Sequence, residues 1–145
     1  MKKVSFHYAD KKLNLSNKTE VKESVEEIFQ SEKIKLNHID YIFCSDEYLL
    51  EINRQYLQHD FYTDIITFDL SENKNETIGE VYVSLDRIKD NALKLQQPLK
   101  NETLRVIFHG ALHLCGYKDK TDKDSKLMRS KEDFYINKYL KNNKQ

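Results

Sequence analysis

Apolar residues recur along this chain with two different periods, and the changes of period mark its elements. Val4 to Tyr8 mixes β-branched and aromatic residues between charged neighbours, which predicts a short strand with His7 as a surface or core position. From Ser16 to Lys33 the apolar residues Val21, Val25, Ile28 and Phe29 recur at helical intervals, and Ser16 or Asn17 can cap the start of an amphipathic helix. Ile39 to Ser45 is apolar, too short for a stable helix and rich in strand formers, so it predicts a core strand. Ser45 or Asp46 can then cap a second helix whose buried face is Leu49, Leu50, Ile52, Tyr56 and Leu57, with Asn53 in it for no evident structural reason. His59 to Leu70 reads as a loop followed by a strand centred on Ile65 to Phe68. The polar segment Ser71 to Glu76 is a turn or loop, and Ile78 to Leu85 reads as a strand with Val81 and Val83 on one face, so the pair suggests a hairpin.

Three helices complete the chain. Asp86 to Gln97 carries Ile88, Ala92, Leu93 and Leu95 at helical intervals, and Pro98 closes it. Asn101 to Cys115 is apolar around most of its circumference, the signature of a helix in the middle of a fold. Asp122 or Asp124 can open the last helix, with Leu127, Met128, Phe134, Ile136, Tyr139 and Leu140 as its apolar positions and a polar tail behind. This order predicts one α+β domain over residues 1–145, a mixed β-sheet of about four strands covered by about five helices.

The central helix also holds the chain's candidate chemistry, His109 to Asp119, HGALHLCGYKD. Residues four apart on a helix share a face, roughly 6 Å apart along the axis, so His109 and His113 can address one atom. Gly116 can end the helix in the left-handed conformation, and the chain can then fold back and bring Asp119 toward the histidines. Zinc takes imidazole nitrogen and carboxylate oxygen, and catalytic zinc sites keep three protein ligands and an open fourth position. Cys115 lies about 200° round the helix from His113 and faces away. Asp122 and Asp124 are competing third ligands better suited to capping. Two hydrogen-bonded core histidines would be the plain alternative, but an all-apolar helix makes unpaired imidazoles costly. A zincin-type peptidase would carry glutamate after the first histidine, where this chain has Gly110.

Charge adds a constraint: 24 basic residues balance 24 acidic ones, so no global field recruits nucleic acid or membrane. The two cysteines, Cys44 and Cys115, have no disulfide-framework spacing and are expected reduced. The N-terminal MKKVSFHYADKK has no apolar core of a signal peptide, and no run is long enough to span a membrane, so a soluble cytoplasmic protein is expected.

HGALHLCGY, from His109 to Tyr117, closely resembles the HGxLHLxGYDH signature of the YbeY family, bacterial metal-dependent endoribonucleases and rRNA maturation factors. Upstream, Asn53 and Tyr56, then Thr63 to Phe68, resemble the family's NxxYR…PTDVLSF block, and Gly79-Glu80 stands where the family has Gly-Asp. The resemblance spans roughly residues 40 to 135 and departs at three places. Asp119 stands for the third metal-binding histidine, Leu57 for the arginine after the NxxY tyrosine, and Tyr62 for the proline before the Thr-Asp pair. It implies a metal-dependent endoribonuclease of rRNA processing and ribosome quality control, with zinc or another divalent transition metal on His109, His113 and Asp119. Its partners would be rRNA or the small ribosomal subunit. Arg105, one turn before His109, can replace the lost arginine toward phosphate or can simply face solvent. The basic residues from Lys118 to Lys131 are interleaved with acids and read as a solvated face. A non-catalytic ribosome-biogenesis binding protein with a structural metal is the second reading.

Overall fold

The computed structural model describes residues 2–73 and 75–143. Its elements are β1 (Val4–Tyr8), α1 (Lys18–Ser31), β2 (Leu36–Cys44), α2 (Asp46–Leu57), β3 (Ile65–Asp69), β4 (Thr77–Ser84), α3 (Leu85–Leu95), α4 (Leu99–Leu114) and α5 (Asp122–Asn142). The predicted order of strands and helices is the observed one, and Lys74 of the expected turn lies outside the described residues.

The four strands form one mixed sheet in the order β1-β2-β4-β3. β2 runs parallel to both β1 and β4, with Tyr41 opposite Phe6 and Val81, while β3 and β4 make the antiparallel hairpin. Alternation along the two central strands turns Ile39, Tyr41, Phe43, Val81 and Val83 to one face, where all are buried. The main core fills that side with the apolar residues of α1, α4 and α5. A smaller cluster of Cys44, Leu49 and Ile66 lies under α2.

α4 occupies the middle of the main layer, as an almost wholly apolar helix should, with Leu104, Ile107, Phe108, Ala111 and Leu112 fully buried. The Tyr41 hydroxyl donates to the Ile107 carbonyl at 2.7 Å, tying helix to sheet across the core. A Cβ at position 79 would overlap Leu114 Cδ1, so the Leu114 side chain would have to shift. α4, which carries His109 and His113, therefore seats its Leu114 side chain against the backbone of β4.

Several predicted faces need correction. Tyr56 and Leu57 of α2 are exposed, whereas Asn53 is buried and its Nδ2 donates to the Phe61 carbonyl at 2.9 Å. Leu93 and Leu95 of α3 are also exposed, leaving Ile88 and Ala92 as its buried stripe. On α5, Leu127 and Phe134 face outward while Glu132 and Tyr135 are buried. The cap of α5 is Thr121, whose hydroxyl accepts from Asp124 N, with Asp122 and Asp124 in the first turn.

Candidate metal centre

Arg105, His109 and His113 follow one another at every fourth position of α4 and line a single cavity. The rings of His109 and His113 lie 4.6 Å apart between centroids at 82°. The helix ends as its sequence predicts: Gly116 has φ 106°, its N–H donates to the His113 carbonyl, and Tyr117 N donates to the Leu112 carbonyl. The reversal brings Asp119 Oδ2 to 3.1 Å from His109 Nε2 and 3.3 Å from His113 Nε2.

One donor atom from each of these residues falls within 4.8 Å of the others, the one group of this kind among the described residues. Tetrahedral coordination with bonds of roughly 2.1 Å separates its donors by about 3.4 Å, so the two measured nitrogen–oxygen spacings suit a metal at the centre. Cys115 is outside the group; it packs against the main core, and burial, with the Glu32 charge second, pushes its thiol up to about 12. Asp122 and Asp124 are outside it too.

Behind the histidines stands a residue that the sequence pattern did not single out. Glu132, 4% exposed on α5, holds His109 Nδ1 at 2.6 Å through Oε2 and accepts from Arg105 at 2.8 Å through Oε1. With its proton on Nδ1, His109 presents the Nε2 lone pair to the site, as metal-binding histidines commonly do with a carboxylate behind them. Burial pushes the His109 pKa down, but the hydrogen bond and charge of Glu132 and the charges of Asp119 and Asp64 outweigh it and leave it raised. Arg105 does not simply face solvent: it pairs with Glu132 and, at 2.6 Å, with Asp133, while still lining the cavity. The signal for Glu132 was a carboxylate at the same helical spacing as buried Met128, Ile136 and Tyr139.

The cavity encloses about 960 Å³ and runs from the histidines past Asp64 and Glu102 to Asn53 and Leu57. Burial raises the Asp64 carboxyl above its ordinary value despite the opposing pull of His109 and Arg87. Glu102 is likewise raised, by burial first, against the pull of Arg105. Leu57, at the family's arginine position, is a half-exposed wall of this space. Tyr62, at the proline position, lies under the Arg87 guanidinium at 5.4 Å. Gly110, where a zincin has its glutamate, faces Val81 and Ile65 of the sheet, away from the histidine–aspartate group.

Three donors opening on a cavity, with a buried carboxylate behind one of them, could hold a metal ion with a coordination position left open toward that cavity. A mixed sheet under a helical layer carries it. The family model described as endoribonuclease YbeY matches residues 4–140. The chain is 48% identical over 130 residues to the endoribonuclease YbeY of Cytophaga hutchinsonii, covering 90% of this chain and 91% of that one. It is 46% identical over 130 residues to that of Flavobacterium psychrophilum, with 90% and 91% covered. The solution structure of TM1509 from Thermotoga maritima superposes with a TM-score of 0.62 at 29% identity, covering 94% of this chain and 90% of that one. This chain belongs to the endoribonuclease YbeY family.

Proposed function

We propose that this protein is a metal-dependent endoribonuclease of rRNA processing and ribosome quality control, with one zinc ion held by His109, His113 and Asp119. The convergence of those donors in front of Glu132, at the wall of a large cavity, is the observation that carries the reading. A divalent ion bound there supplies Lewis acidity to a phosphodiester oxygen or to a water molecule. Glu132 fixes the His109 tautomer and ring, and Asp119 gives the centre one negative charge that a third imidazole would not. Asp64, whose carboxyl is raised by burial, is suited to exchange a proton within the cavity. Arg105, Lys120 and Arg129 line the same space and supply positive charge toward phosphates, with Arg105 held in place by Glu132 and Asp133. The substrate is RNA, with rRNA or the small ribosomal subunit as the partner, and the compartment is the cytoplasm. No described helix is long and apolar enough to cross a membrane.

Purified protein with zinc should cleave single-stranded rRNA segments, and His113→Ala should abolish cleavage and reduce zinc binding while the metal-free proteins melt alike. Cleavage that survives this substitution at equal purity would overturn the reading. A variant that loses its fold and its ribosome binding together would instead favour a structural metal.

A further inference from the structure

The wall of the cavity contributed by the loop between α2 and β3 holds aromatic rings that the metal chemistry does not use. This loop is fastened at three points, two of them on its backbone and the third through the Asp60 side chain. His59 N donates to the Asn53 carbonyl at 3.2 Å, the buried Asn53 side chain donates to the Phe61 carbonyl at 2.9 Å, and Arg54 Nε donates to Asp60 at 2.6 Å. Gln58, with φ 56°, turns the chain out of α2 to begin it. On this fastened backbone the His59 and Phe61 rings stack, 5.1 Å between centroids and 22° between planes, and Phe61 remains 56% exposed. Both residues line the same cavity as His109 and Asp119, and Leu57, Lys94 and Leu95 are also in its lining.

We propose that the His59–Phe61 stack is the binding site for an unpaired nucleobase of an RNA strand whose phosphate lies at the metal centre. The proposal rests on the endoribonuclease reading and names what that site recognises. Any base offers a π-face, so an aromatic platform holds single strands with little regard for sequence, whereas bases in a duplex are already stacked on one another. A loop fixed before binding loses little conformational freedom on binding. With 24 basic against 24 acidic residues the chain has no net charge to draw RNA in, which leaves stacking and the cations lining the cavity, Lys94 among them, to supply affinity.

The test uses the full chain, with zinc and again in EDTA to stop cleavage, and a short single-stranded RNA of mixed sequence as probe. Phe61→Ala and Phe61→Leu should each weaken binding about tenfold, the leucine because it keeps apolar area but has no ring face. Phe61→Trp should bind at least as tightly as the wild type. As this chain has no tryptophan of its own, the new indole reports contact by fluorescence quenching with single-stranded but not duplex RNA. Melting should be unchanged because the ring is exposed. Equal RNA affinity for wild type, F61A and F61L overturns the stack as a base site while leaving the nuclease standing. Self-association that F61A removes without altering RNA affinity overturns it in favour of a second copy of the chain. Wild-type protein that neither binds nor cleaves RNA overturns both readings.

Discussion

Glu132 stands where helical spacing reserves a place for the core, between Met128 and Ile136, and its two oxygens serve His109 and Arg105. Removing its charge separates its effects. Glu132→Gln keeps the shape and should lower the His109 pKa in metal-free protein toward its ordinary 6.5. It should also weaken zinc binding about 10- to 100-fold in competition with a chelating dye. Because the folded-state pKa of His109 is raised, the stability it contributes is fully present below 6.5 and is lost as pH rises through the folded value. The stability gap between wild type and E132Q should therefore narrow with rising pH. A histidine titration and zinc affinity that both match the wild type would deny Glu132 this role. The candidate ligands themselves were legible because His109, His113 and the Gly116 stop are local features. Glu132 was not, since its partner is 23 residues away and a carboxylate in an apolar stripe also fits a misjudged helix face.

Among the elements, α4 meets β4 at one tight point, Leu114 against Gly79. Gly79→Ala would set a methyl against Leu114, the neighbour of His113, so either Leu114 changes rotamer or the helix moves. A loss of about 1–3 kcal/mol in denaturant unfolding is expected, with weaker zinc binding as the second readout. An unchanged midpoint would mean that Leu114 swings clear at no cost. Element order and type were readable from periodicity, but faces were read less well. Tyr56 and Leu57 extend the apolar stripe of α2 on paper, yet only Leu49 and Asn53 of this helix are buried, and Tyr56 meets the Phe68 ring of the sheet while staying exposed. The exposed Leu93 and Leu95 of α3 and Leu127 and Phe134 of α5 repeat the pattern. A stripe shows which side of a helix is apolar, while its neighbours decide how much of that side is covered.

Across the whole molecule, the parallel pairing of β2 with β4 had no local signal, unlike the β3–β4 hairpin, because it joins strands separated by α2 and β3. Distant segments also meet at Glu32, just past the end of α1, whose carboxylate accepts from Tyr117 at 2.6 Å, from Tyr135 and from Lys131 at 3.2 Å. This knot joins α1 to α5 and to the turn that carries Asp119. Burial works against the Glu32 charge, but these donors outweigh it and hold the carboxyl below its ordinary 4.5. Its stabilisation is thus present above 4.5 and lost as pH falls through the folded value. Glu32→Gln should cost about 1–3 kcal/mol at neutral pH and weaken zinc binding through the loosened turn. A variant as stable as the wild type would show that the knot is incidental.

The carboxylate behind His109 also has a place in time. Glu132 and Tyr135 belong to the last helix, and a chain synthesised from its amino end exposes HGALHLCGYKD before either of them. For that interval the nascent protein displays its whole motif without the carboxylate that pairs with His109 Nδ1. The motif is complete before its surroundings are, and the Glu132 contact to His109 forms only when the final helix folds back onto the fourth.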